Sequence, residues 1–394
     1  MLKLLFYLSV AALSLGQFAA IVKQGEANFY LFDLVVSLFA VYGIIFFLGS
    51  TRSLKLPKNL VLFFVFFLVG FLSLLSVYYK YSFHQLLVSG LYLVRFFMYL
   101  SSGVVLYNMV LQNLISKNSV YKAFLLSGLF LSLAGFIQLK LLSDFEILNP
   151  ALGWDPHKNR LASTFFDPNF TGAYLALCLA VLLENFSYLK KLPKGLSSKF
   201  YSLYFAVLLI ALFMTFSRSA WALFAIIVLI YGLFRFRLWL FLSLVIAFLA
   251  YYAVPRVQTR IAGITDPADS ASFRVISWEN TWEISKRNLV LGVGFNTFRY
   301  VQKEYGFLDP DNFYIHSGGG SDSSLMFVLV TTGIIGLSVF LFALASVFLR
   351  ALASRDGPNV LILAVLSGVM VESLFINSLF YPQILFFIVS LFVI

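Results

Sequence analysis

The chain is short of nearly everything that a water-facing surface requires. Only 11% of its 394 residues are charged and 61% are hydrophobic, against about 25% and about 45–50% in soluble globular proteins. So few charges cannot cover a soluble surface, and so much apolar content cannot stay disordered, which excludes soluble enzymes and unstructured chains alike. Cysteine is nearly absent. Cys178 stands alone, which excludes an intrachain disulfide framework and any cysteine-based metal site. Histidine is scarce too, with only His84, His157 and His316. Acids are outnumbered by bases, 17 to 28, for a net charge of +11. What remains is long apolar sequence, and it describes an integral membrane protein.

A spanning helix needs about 20 mostly apolar residues. Runs of that kind, bounded by Lys, Arg, Pro or Gly, fall at roughly 4–22, 29–48, 60–77, 86–111, 120–139, 169–187, 200–216, 219–233, 238–254, 322–349, 358–376 and 379–394. The expectation is an all-α polytopic membrane protein of about twelve helices, with residues 1–394 as a single transmembrane domain. The first run follows Lys3 like a signal peptide, but it lacks a clear small-residue cleavage site and another run follows at once, so it reads as an uncleaved helix. Basic residues orient the spans. One set of alternate loops holds 14 of them (Lys3, Arg52, Lys55, Lys58, Lys117, Lys122, Lys190, Lys191, Lys194, Lys199, Arg235, Arg237, Arg350 and Arg355) against one acid, Asp356. The other set holds 13 basic and 13 acidic residues. The excess charge is therefore a topology signal that puts both termini in the cytoplasm, and the case for a nucleic-acid partner disappears. Both long polar segments, 140–168 and 255–321, fall on the outer face, and 255–321 reads as a partly helical extracytoplasmic loop or cap before the tenth helix.

The outer segments carry the chemistry. Asp269, Ser270 and Ser272 offer N-caps for a helix from about 273 to 288, on which Arg274, Trp278 and Trp282 share one face. That face suits either an interfacial helix with its indoles among headgroups or a lid with Arg274 turned inward. Gly292 and Gly294 punctuate a turn. Arg218 sits in a tight turn, Ser217-Arg218-Ser219-Ala220-Trp221, between two spans. An arginine there either snorkels to headgroups or binds an anion, and its fork suits phosphate oxygens. A second outer arginine, Arg160, precedes Asp167-Pro168-Asn169, where Asp167 or Asn169 caps the next span. Residues 316–325 run from His316 through three glycines to Asp322, with Ser321 or Asp322 opening a long span whose N-terminus faces outward. His316 is the natural base among the outer residues because its pKa lies near neutrality. Asp309-Pro310-Asp311 looks like a turn rather than a metal site, and Asp155-Pro156-His157 lacks a partner cluster, so neither a metal nor a cofactor is expected. Gly333 and Gly336 suggest close helix packing. Within the spans, Arg95, Asp33 and Glu372 either serve function or form a mutual salt bridge.

Taken in order, these pieces resemble the bacterial O-antigen ligase and O-antigen polymerase superfamily, which also includes some O-linked protein oligosaccharyltransferases. The matching pieces are Arg160 with Ser163-Thr164-Phe165 and Pro168-Asn169, then Ser217 to Trp221, Arg274 to Trp278, and Leu291-Gly292-Val293-Gly294-Phe295-Asn296-Thr297-Phe298. Asp322-Ser323-Ser324-Leu325 leading to Thr332-Gly333-Ile334-Ile335-Gly336-Leu337 completes the set. The resemblance covers about residues 160–350, while the first five spans match only as hydrophobic helices. It implies a metal-independent glycosyltransferase of the bacterial inner membrane. Such an enzyme moves a glycan from undecaprenyl diphosphate to an acceptor hydroxyl on lipopolysaccharide core, growing polysaccharide or protein. It further implies that Arg218 and Arg274 bind the diphosphate; Arg160 and Arg95 are further candidates on their own placement. Many ligases carry His-Asn where Asp322-Ser323 stand here, and His316 lies six residues earlier, so either His316 or Asp322 would activate the acceptor. The alternative class is a flippase or secondary transporter for a lipid-linked glycan, which would use the charges inside the spans, although no related halves are visible.

Overall fold

The computed structural model describes residues 1–24, 27–50, 52–148, 157–189, 196–262, 270–308, 320–354 and 359–394. Each of the twelve apolar runs holds a helix. They are α1 (Leu2–Leu15), α2 (Leu31–Leu48), α3 (Val61–Ser76), α4 (Phe83–Leu111), α5 (Lys117–Leu141) and α6 (Pro168–Leu189). Next come α7 (Leu196–Met214), α8 (Arg218–Phe234) and α9 (Arg237–Ala253). Three polar-segment helices follow, α10 (Pro255–Ala262), α11 (Ser270–Lys286) and α12 (Phe298–Glu304), before α13 (Ser324–Leu352), α14 (Val360–Glu372) and α15 (Pro382–Val393). The fold is helical and membrane-like. Five helices, lying in Leu2–Ala19, Leu31–Leu48, Phe83–Leu111, Lys117–Leu141 and Ser324–Leu352, are long and apolar enough to cross a bilayer, and several others are apolar but shorter.

Caps explain where several helices start. Ser82 and Gln85 form a reciprocal capping box at α4, while Ser116, Ser217, Ser323 and Asn359 accept backbone N–H groups at α5, α8, α13 and α14. Ser323 thus opens α13, rather than Ser321 or Asp322. The helix expected from 273 begins earlier, at Ser270.

Hydrophobicity all around a helix means burial within protein, and the bundle is arranged accordingly. Residues 173–183 of α6 and nearly all of α14 and α15 are buried, with α8 packed along α14 and α6. Outer helices are two-faced. On α2, Phe32, Val36, Phe39 and Phe47 face the core, whereas Leu34, Leu38, Val41, Ile45 and Leu48 are exposed. A continuous apolar stripe of that kind is a liability in water and suits lipid.

Among the described residues, the departure from an all-helical chain is an antiparallel hairpin of β1 (Ala20–Gln24) and β2 (Ala27–Tyr30). It is tied down from inside the bundle. Arg95 donates to the Asn28 carbonyl and pairs with Asp33 at 2.9 Å, while Tyr99 donates to the other Asp33 oxygen at 2.6 Å. The Tyr30 N–H also reaches Asp33, closing the N-terminus of α2. Arg95 and Asp33, two of the three span charges singled out from sequence, therefore pair. Glu372 does not join them, but lies at the end of α14, where its carboxylate accepts from the Ser378 hydroxyl.

The long α13 is broken at Gly333, which adopts φ 67° inside the helix. Gly292 and Gly294 do punctuate a turn, yet it is docked into this break. Val293 N–H donates to the Val330 carbonyl at 2.9 Å, and Ile334 N–H donates to Leu289 at 2.7 Å. The freed helix groups thus find partners in the inserted segment, as irregular backbone at membrane depth requires. Gly333 Cα lies against this segment, since a Cβ there would sit 2.2 Å from the Val290 carbonyl oxygen. The Ser73 hydroxyl of α3 reaches the carbonyls of both Leu291 and Thr331 at 2.6 Å, fastening a third element to the junction.

Candidate active site

Five segments converge at one end of the bundle. They are the loop entering α6, the turn between α7 and α8, the pair α10 and α11, the N-terminus of α13, and the link from α14 to α15. The loop into α6 is shaped by Asp167, whose Oδ1 accepts from the N–H groups of Asn169 at 2.7 Å and Phe170 at 3.3 Å. Asp167 is therefore the cap, and this releases Asn169 for another task. Asn169 Oδ1 receives Arg160 Nη2 at 3.1 Å and the Ser217 hydroxyl at 2.9 Å. Arg160 Nε also donates to the Thr215 carbonyl at 2.8 Å. One amide thereby locks the two arginine-bearing turns together.

Arg218 begins α8 and donates through Nη1 to the Arg260 carbonyl at 3.0 Å, which joins α10 to the turn. Arg256 lies 4.1 Å over the Phe216 ring and donates to the carbonyls of Asn159 and Lys158. On α11, Arg274 and Trp278 are half-buried, whereas Trp282 is exposed with Lys286 over its ring. The shared face expected for the three thus splits, with the first two turned to the bundle. Trp278 packs on Phe375 of the α14–α15 link, with ring centroids 5.9 Å apart.

The N-terminus of α13 is held from two sides. Ser277 Oγ accepts the Asp322 N–H at 3.1 Å, and Thr281 donates to Ser321 at 3.0 Å. On the other side Ser323 and Ser324 bond the carbonyls of Ser373 and Ile376, and Leu379 N–H returns to Ser324. Position 322 is thereby fixed between α11 and the α14–α15 link.

The electrostatics show that these cations act on one another. Burial, then the positive charges of Arg260, Arg274 and Arg256, pull Arg160 down to about 9, with Asp167 the opposing anion. Arg274 is likewise pushed below its ordinary value, first by burial and also by Arg218, against the pull of Asp322, Asp167 and Glu372. Burial and then Arg260 do the same to Arg256. Like charges within reach of one another in a partly buried place disfavour their own protonated forms. Such a cluster is stabilised by a multiply charged anion.

Of the residues singled out from sequence, Arg160, Arg218, Arg274 and Asp322 are brought to this end of the bundle. Arg95 is placed in the network with Asp33 and Tyr99, its guanidinium 4.8 Å over the Tyr92 ring. His316 and Asp309-Pro310-Asp311 lie outside the described residues, as do Asp155 and Pro156. His157 is buried and stacked on Phe145. Arg260, Arg256, Asn169 and Glu372 were not among the expected site residues. An arginine pair at i, i+4 on α10 was the available signal for the first two.

Comparison with known proteins adds one finding. Residues 203–341 match the family model described as O-antigen ligase. That stretch is similar to an O-antigen ligase domain. It extends from within α7 into α13 and contains Arg218, Arg274 and Asp322, while Arg160 and Glu372 lie outside the matched stretch. No curated protein matches the chain. The similarity indicates glycosyl transfer of the ligase or polymerase type, with a lipid-linked glycan and an acceptor as the general partners of that superfamily.

Proposed function

We propose that the protein is a metal-independent glycosyltransferase of the bacterial plasma membrane. It moves a glycan from undecaprenyl diphosphate to an acceptor hydroxyl at the outer face. In this reading the twelve helices of the apolar runs span the bilayer, both termini are cytoplasmic, and residues 255–321 cap the site. Arg218 and Arg274 take the diphosphate and Arg160 backs them, while Arg95 serves the scaffold. The acceptor hydroxyl is activated by His316 or Asp322.

The observation that carries this reading is the crowding of guanidinium groups from α8, α10, α11 and the α6 entry loop. A departing diphosphate spreads charge over its oxygens, and preorganised cations stabilise that charge most where water is scarce. The transport alternative relied on charges inside the spans. Arg95 and Asp33 are instead bound to each other, to Tyr99 and to the hairpin backbone, which supports a structural use.

The test is transfer by purified protein in detergent, with undecaprenyl diphosphate-linked glycan, an acceptor and no ion gradient. Wild-type protein should form product. Arg218→Ala and Arg274→Ala should each lower the rate by about 100-fold or more, the usual scale for losing one charge-stabilising group. Transfer at wild-type rate in both variants would remove the arginines from the site, and no transfer by the wild type would return the transporter class to favour.

A further inference from the structure

Glu372, Trp278 and Asn377 share an unusual property. Each is outside the roles assigned above, and each has a buried polar atom with no hydrogen-bond partner among the described residues: Glu372 Oε1, Trp278 Nε1 and Asn377 Oδ1. Buried polar atoms are nearly always satisfied, and one left unpaired costs stability. Three on adjoining segments call for an explanation. Trp278 packs on Phe375, Glu372 bonds Ser378, and the Asn377 amide lies beside Gly320. The segments that bear them are stitched together by the N-terminus of α13. Glu372 is also coupled electrostatically to Arg274, so the group adjoins the arginine cluster.

We propose that Glu372, Trp278 and Asn377 form the acceptor subsite and that the acceptor is a sugar, which rests on the glycosyltransferase reading above. A sugar ring presents adjacent hydroxyl groups that both donate and accept, together with an apolar C–H face. Carboxylate and amide oxygens accept from such hydroxyls, an indole N–H donates to one, and the Trp278–Phe375 ring pair covers the apolar face. A serine or threonine side chain, with one hydroxyl proton, can donate to only one of the two oxygens and so leaves the other unsatisfied. Phe375 is 37% exposed, so the ring pair borders the surface. The subsite then holds the sugar against the diphosphate site, and the reacting hydroxyl meets the anomeric carbon with its neighbours already bonded.

Two variants remove a single hydrogen-bonding function each while keeping shape: Glu372→Gln and Trp278→Phe. Trp278→Phe changes no charge near Arg274 and so guards against a purely electrostatic effect of Glu372→Gln. Steady-state transfer should show the acceptor KM raised about tenfold in each variant, with the KM for undecaprenyl diphosphate-linked glycan within twofold of wild type. Unchanged acceptor KM in both variants, or a donor KM that rises in step, would overturn the proposal. Binding without donor is measured separately by calorimetry, using the host's core oligosaccharide freed of lipid and, in parallel, a serine-containing peptide. Oligosaccharide binding by the wild type that weakens about tenfold in both variants supports the subsite even if turnover fails. Binding of the peptide in preference to the oligosaccharide overturns it. Loss of transfer in Arg218→Ala with oligosaccharide binding intact would separate the two sites.

Discussion

At the scale of single residues, the guanidinium of Arg160 is the most informative group. Partial burial and the charges of Arg260, Arg274 and Arg256 bring it down to about 9. A cation lowered in this way binds its proton less tightly in the folded chain than in the unfolded one. Its charge therefore opposes folding at neutral pH, and stability is regained as pH climbs through 9 towards the unfolded value. A diphosphate reverses the balance, because it favours the protonated form. Pyrophosphate or undecaprenyl diphosphate should accordingly raise the thermal midpoint of the purified protein at pH 7. Affinity should decline above about pH 9, by at most about tenfold per pH unit for one proton. Calorimetric titration from pH 7 to 10 checks this, with Arg160→Gln expected to bind more weakly and to lose most of the decline. A flat affinity over that range would show that Arg160 does not share the anion.

At the scale of elements, the break in α13 is the feature on which the site's shape depends. Gly333 takes φ 67°, and a Cβ would meet the Val290 oxygen at 2.2 Å, in the segment that supplies the missing helix partners. Gly333→Ala should therefore lower the melting temperature markedly, since it combines backbone strain with a backbone clash. Gly306→Ala, also at positive φ but with nothing within 4 Å, should show only the strain. A melt in detergent compares the two, and equal shifts would mean that the docked segment contributes little. This junction also marks where sequence reasoning ends. Helix positions were legible because apolar runs and Ser, Asn or Asp caps are local signals; Asp-Pro-Asn marked a cap at Asp167 or Asn169, and the structure decides for Asp167. The partnership of Gly292 with Gly333 joins residues some 40 apart and leaves no periodic trace. The same holds for Asn169, which serves Arg160 and Ser217 only because Asp167 has taken the capping role. Glu372 was grouped with Arg95 and Asp33 because all three are charges in apolar runs, but packing sends it to a different partner.

At the scale of the whole molecule, charge distribution and site location must agree on one topology. The 14 basic residues of one loop set argue for the cytoplasmic side through the bias of short loops. The convergent arginines belong to the opposite set, as do the segments that hold them. If the donor is presented on the outer leaflet, these two facts are one: the cations that remain outside are those with an anionic ligand to hold. Cysteine labelling decides it with little interference, because Cys178, the sole native thiol, is fully buried in α6. Tyr79→Cys lies in the α3–α4 link, where Tyr79 is 79% exposed, and should react with a membrane-impermeant maleimide in intact spheroplasts. Ser53→Cys, exposed in the α2–α3 link, should react only after the membrane is opened. The reverse pattern would place the arginine cluster in the cytoplasm, where an outer-leaflet donor could not reach it, and the assignment of outer-face glycosyl transfer would fall with it.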